Sequence, residues 1–165
     1  MNDTVATNQA DAVKRTVTDI PSMLLPVEGR VLLLPGVSIA EIIPSPQVTR
    51  PDDAPEWFLG TVTWRKLEVP VVSFTMLNEQ FSAHSSRNRH LAVLNNTGVS
   101  DNLPFLAITI QGIPRLTRIT AIDLGDDTET VLSPMELLAV RLGDEPVIIP
   151  NVSALEKACL TYYSP

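Results

Sequence analysis

With 165 residues and 44% hydrophobic side chains, the chain suits one compact domain able to bury roughly 70% of its unfolded surface. A formal net charge of −7 and the lack of a Lys/Arg cluster argue against a nucleic-acid partner; the densest basic stretch, Arg87, Arg89 and His90, reads as a solvated loop. The longest apolar runs, Met23 to Val27 and Val31 to Pro35, fall far short of the roughly 20 residues of a membrane span, and the polar N-terminal stretch lacks a signal-peptide core. These features predict a cytoplasmic protein without direct membrane insertion.

Residues 1–20 are rich in Thr, Asn, Asp and Ala without sustained periodicity and read as a flexible arm, a short helix at Ala10 to Val17 being the alternative. The domain then spans 21–165. Met23 to Val27, a Glu28-Gly29-Arg30 turn and Val31 to Pro35 predict a hairpin. Val37 to Ile43 fits a helical turn and a strand equally well. Pro44, Pro46, Pro51 and Pro55 then impose an extended connection.

The stretch Trp57 to Ser73 predicts a second hairpin. Phe58, Gly60, Val62 and Trp64 fall on one face of its first strand, and Arg65 stands where that strand meets the turn. The second strand, Val69 to Phe74, is apolar on both faces, so it should be covered on both. Its Pro70 cannot donate to a ladder, which predicts an edge strand or a bulge.

Asn78 to Asn88 has loop composition and divides the domain into approximate halves, 22–82 and 90–155. The second half offers strands at Leu91 to Leu94, Leu103 to Ile110, Ile113 to Ile119, Leu137 to Leu142 and Pro146 to Ile149. Short strands in both halves suggest two small barrels or curled sheets. A capping box at Ser153 to Glu156 opens a C-terminal helix, and Leu155, Ala158, Cys159, Tyr162 and Tyr163 form its apolar stripe. Cys159, the single cysteine, reads as a small core thiol.

No nucleophile elbow, glycine-rich phosphate loop, C-x-x-C or H-E-x-x-H motif occurs, so no enzyme activity, metal or cofactor is expected. Asp123, Asp126, Asp127 and Glu129 form the densest acidic group, but Gly125 precedes the Asp pair and the spacing does not match a calcium loop. They read as a solvated turn.

The opening hairpin with Gly29, V-S-I-A-E-I ending at Glu41-Ile42, G-T-V-T-W-R from Gly60 to Arg65, and V-P-V-V-S from Val69 to Ser73 together resemble a CheW-like domain. That family supplies the adaptor that joins chemoreceptors to a histidine kinase in bacterial chemosensory arrays. In the second half, Phe105 to Leu116 and Pro146 to Glu156 resemble the divergent versions of type IV pilus (twitching) systems.

The resemblance implies an all-β fold with short helices: two SH3-like five-stranded barrel subdomains sharing a hydrophobic core, closed by a C-terminal helix. It further implies a non-catalytic scaffold at receptor arrays on the inner membrane. The implied partners are the regulatory domain of a CheA-type kinase, the cytoplasmic hairpin tip of a receptor, and other CheW-like proteins. The kinase-facing residues are left open.

Ile39, Glu41, Gly60, Val62 and Arg65 are the residues the resemblance places at the receptor groove. For Ile39, Gly60 and Val62, plain core is the competing reading, and Glu41 and Arg65 are either a pair or two independent surface charges. Lys66 stands where family members have glycine, which predicts a differently shaped turn. The competing function is a stand-alone SH3-like peptide-binding or assembly module with Trp57 and Trp64 as an exposed ligand face.

Overall fold

The computed structural model describes residues 18–44, 46–79 and 89–165. Most of the expected N-terminal arm, together with His84 and Arg87, lies outside them.

Strand β1 (Ile20–Val27) and strand β2 (Arg30–Pro35) form the opening hairpin around Glu28 and Gly29. Gly29 takes φ 72°, the left-handed conformation that a tight turn asks of glycine. The ambiguous segment after it is both things its pattern allows: a 3-10 turn at Gly36–Ser38, then strand β3 (Ile39–Pro44). The second predicted hairpin is β4 (Phe58–Trp64) and β5 (Leu67–Val72).

A short helix that the sequence reading missed, α1 (Phe74–Leu77), follows directly. Ser73 caps it by accepting from the Met76 N–H at 3.3 Å. Then come β6 (Arg89–Asn95), β7 (Phe105–Gln111), β8 (Arg115–Ile119), β9 (Leu124–Asp126), β10 (Glu136–Leu142), β11 (Glu145–Pro150) and helix α2 (Val152–Leu160). The three-residue β9 was not foreseen, because Leu124-Gly-Asp126 has no alternation to read.

Two sheets result, one in the order β8-β1-β2-β11-β10-β9 and the other β3-β6-β7-β5-β4. Neither is contiguous in sequence. The opening hairpin joins strands from the far end of the chain, while β6 and β7 complete the sheet begun by β3, β4 and β5. The halves 22–82 and 90–155 therefore correspond to neither sheet.

Period-two alternation explains why so many strands are apolar on both faces. In β6, Ala92 and Leu94 face the core shared by the two sheets, whereas Leu91 and Val93 face a core inside the second sheet. In the opening hairpin, Leu25 and Leu32 point into the shared core, and Leu24 and Leu33 into a separate cluster with Ile119, Val140 and Val147. Each sheet thus curls around a small core of its own and contributes its other face to the common one, as two fused barrels must.

Pro70 corrects one expectation, since β5 lies between β4 and β7 and is not an edge strand. The parallel ladder to β7 begins only at Val71. Pro70 sits just before it, where no donor toward β7 is needed.

Helix α2 docks its predicted stripe, with Leu155 and Cys159 fully buried. Burial pushes the Cys159 thiol up to about 12, so it stays protonated and unreactive at neutral pH. The cap differs from the expected box: Asn151, not Ser153, accepts from the Ala154 N–H at 3.0 Å. Glu156 instead turns inward and accepts from the Thr97 N–H at 2.6 Å and the Thr97 hydroxyl at 2.8 Å.

Candidate functional site

Strands β3 and β4 are the two ends of their sheet's hydrogen-bonding order, yet the sheet curls until their side chains meet. Glu41 on β3 accepts at Oε2 from the Trp64 indole N–H at 2.9 Å and from Arg65 Nη2 at 3.1 Å. The Arg65 guanidinium also lies 4.6 Å from the centroid of the Trp64 ring, a cation–π arrangement. Trp64 is itself buried, with its ring edge-on to Phe105 at 4.8 Å.

Glu41 and Arg65 are therefore a contacting pair at the surface, their side chains 45% and 67% exposed. At that exposure the ion pair contributes only about 0–1 kcal/mol to stability. The arrangement holds a fixed donor–acceptor couple in solvent rather than strengthening the core.

The turn that carries Arg65 is a two-residue connection, since Trp64 pairs with Leu67. Both turn residues have positive φ, 48° at Arg65 and 67° at Lys66, as a primed hairpin turn requires. Lys66 thus stands in the left-handed, glycine-type conformation without being glycine. A non-glycine residue pays roughly 1–2 kcal/mol there. Lys66→Gly is expected to stabilise the protein by about 1 kcal/mol after the larger unfolded-state entropy of glycine is set against the relieved strain. A raised urea midpoint at unchanged slope is the check.

Gly60 and Val62 are buried, as the competing core reading has them. Val62 packs with Trp64, Val69 and Val71 inside the second sheet. Gly60 has φ 125°, and a Cβ there would stand 2.2 Å from the Thr49 carbonyl oxygen and 2.9 Å from Arg50 Cα. The glycine lets residues 49–50 lie against β4, where Thr49 and Thr61 exchange two backbone hydrogen bonds of 2.9 Å. Ile39 is half-buried at the head of β3 and packs against the shared core.

Of the five expected residues, then, Glu41 and Arg65 come together at the surface, while Gly60 holds the strand edge between them and the Pro-rich connection. Trp64 was missed as a site residue: its alternation predicted an inward ring, but nothing in the sequence indicates where its N–H points.

Next to the turn, Leu67 is exposed and lines an apolar cavity of about 280 Å³ with Val69, Leu103, Phe105 and Tyr163. On the outer face of the hairpin, the Thr63 hydroxyl donates to Glu68 at 2.6 Å; hydrogen bonds from Thr63 and Thr61 hold that carboxyl below its ordinary range. The acidic turn expected at Asp123 and Asp127 is built from local caps. Thr120 donates twice to Asp123, and Thr130 donates to Asp127 through both its N–H and its hydroxyl. These bonds lower both carboxyls. Among the described residues no His/Cys/Asp/Glu group is placed to hold a metal ion, and no helix is long and apolar enough to cross a membrane.

No curated protein matches the chain. Among solved structures, it is similar to the scaffolding protein TtCheW from Thermoanaerobacter tengcongensis, with a TM-score of 0.68 at 11% identity, over 81% of this chain and 89% of that one. Such identity speaks to the fold alone, two SH3-like subdomains. Residues 21–158, nearly all of the two sheets and α2, match the CheW-like domain, and the chain belongs to that family.

Proposed function

We propose that this protein is a non-catalytic adaptor linking chemoreceptors to a CheA-type histidine kinase, at arrays on the inner membrane, in control of chemotaxis or type IV pilus twitching. One partner surface takes the regulatory domain of the kinase. The other, around Glu41 and Arg65, takes the cytoplasmic hairpin tip of a receptor, with other CheW-like proteins as further neighbours in the array. The pilus assignment rests on the resemblance of Phe105 to Leu116 and Pro146 to Glu156 to the divergent twitching versions.

The observation that carries this reading is the Glu41–Arg65 contact, an exposed ion pair that stability does not require. The apolar cavity lined by Leu67, two positions along the chain from Arg65, gives an amphipathic helix somewhere to lay an apolar residue. The competing peptide-binding module loses its ligand face, because Trp64 is buried and Trp57 is half-buried, edge-on to both Phe58 and Tyr162.

Calorimetric titration with the regulatory domain of the kinase from the same cell, and separately with a receptor cytoplasmic hairpin, tests the proposal. Both are expected to bind. Arg65→Glu sets two carboxylates side by side and is expected to weaken receptor binding at least tenfold while the circular dichroism spectrum stays native. Binding to neither partner by the folded wild-type protein overturns the adaptor reading. Receptor binding that survives Arg65→Glu overturns the placement of the site.

A further inference from the structure

We propose that Trp64 is a positioning residue of this partner site, holding the Glu41 carboxylate and the Arg65 guanidinium in the one arrangement a partner meets. The inference rests on the adaptor reading and adds a residue to it. Its basis is a convergence: one oxygen, Glu41 Oε2, takes both the indole N–H at 2.9 Å and the guanidinium at 3.1 Å, while the face of the same indole carries the guanidinium at 4.6 Å.

The three contacts make a closed triangle. Without Trp64, an exposed Glu and an exposed Arg on a two-residue turn share one hydrogen bond and keep most of their rotamer freedom, which binding must then remove. The indole is immobile because its body lies inside the second sheet among Val62, Val69 and Val71, against Phe105. It therefore fixes the carboxylate by a charge-assisted hydrogen bond and the guanidinium by its ring. The free Glu41 Oε1 and the remaining Arg65 N–H groups have no hydrogen-bond partner among the described residues and are left for the partner.

The triangle also spans the seam of the barrel. β3 and β4 end opposite sides of the sheet's order, and Trp64 with Arg65 reaches across to Glu41 there. The partner would thus dock on the closure of the barrel, a place held by neighbouring strands on both sides and not by a loose loop.

The test is a double-mutant cycle with the receptor cytoplasmic hairpin as titrant, using Trp64→Phe and Glu41→Ala. Phenylalanine keeps a ring in the core and beneath Arg65 but donates no N–H. Trp64→Phe is expected to weaken binding about five- to tenfold in the native background and less than twofold in the Glu41→Ala background, because its effect passes through Glu41. Equal losses in both backgrounds mean that Trp64 acts through packing and overturn the positioning role.

A measurement without any partner runs beside it. In the free protein the Trp64 indole N–H proton resonance is expected to lie downfield and to move upfield in Glu41→Ala, and an unmoved resonance overturns the proposal. Receptor binding lost in Arg65→Glu but unchanged in Trp64→Phe removes the positioning role and leaves the adaptor reading standing. Binding insensitive to Arg65→Glu removes the site, and the positioning role with it.

Discussion

Gly60→Ala is expected to lower stability by about 3–5 kcal/mol, the sum of overpacking against backbone and of an unfavourable φ for alanine. The added methyl carbon would lie 2.2 Å from the Thr49 carbonyl oxygen. A flexible side chain could swing away from it. A carbonyl that is itself bonded to the Thr61 N–H at 2.9 Å cannot. Either β4 moves, taking Val62 and Trp64 out of register in their core, or residues 49–50 detach and leave the edge of β4 open. In thermal unfolding this corresponds to a fall in Tm of about 10 °C or more. Gly29→Ala is the control: it too has a positive φ, 72°, but no atom lies within 4 Å of the added carbon, so only the backbone term of about 1 kcal/mol applies. Equal losses at the two positions would show that close approach at Thr49 is not what Gly60 serves.

The second large effect is expected at Glu136, whose side chain is fully buried. Oε2 accepts from the Ser133 N–H at 2.9 Å, and Oε1 lies 3.4 Å from Arg30 Nε and 3.5 Å from Asn78 Nδ2. Asn78, the residue that ends α1, in turn accepts from the Met135 N–H at 2.8 Å. One carboxylate thus ties the opening hairpin of one sheet to the helix that leaves the other. Glu136→Ala leaves a buried amide without its acceptor and a half-buried guanidinium without its counter-charge, costing about 2–4 kcal/mol. Glu136→Gln retains an acceptor and is expected to cost less than half as much. Urea unfolding of both variants is the measurement, and a loss below about 1 kcal/mol for Glu136→Ala would mean that solvent or Arg30 rearranges to satisfy the site.

Both residues explain why some of the architecture was legible in the chain and some was not. The hairpins were readable because alternation and turn residues act over a few positions: Phe58, Gly60, Val62 and Trp64 all point inward as their period of two requires. The apolar stripe of α2 was readable for the same local reason. Asn151 displaced Ser153 as its cap, and Glu156 was free to bond Thr97, because a capping box is one of several ways to satisfy the same orphan N–H groups. The sequence gives no sign that a carboxylate at the fifth residue of a helix will find a threonine in a loop 59 positions away.

The candidate site divides along the same line. Glu41 and Arg65 could be named from the ordered motifs that resemble the CheW-like family, but 24 positions separate them, and no spacing rule operates over that distance. Their contact exists because the second sheet curls until its first and last strands touch. Gly60 and Val62 stand at motif positions too, and their alternation along β4 already placed them inward.

By itself, then, the sequence determined the β-rich class, the positions of most strands, the inward faces of β4 and α2 and the family to which the chain belongs. All of these follow from short-range periodicity or from residues standing in order. Only the tertiary structure decided that the opening hairpin completes a sheet made from the end of the chain, that Pro70 lies on an inner strand, and that Trp64 joins Glu41 to Arg65. Those outcomes depend on which surfaces meet when two curled sheets bury one core, an energy gained by the whole chain at once and written in no single segment of it.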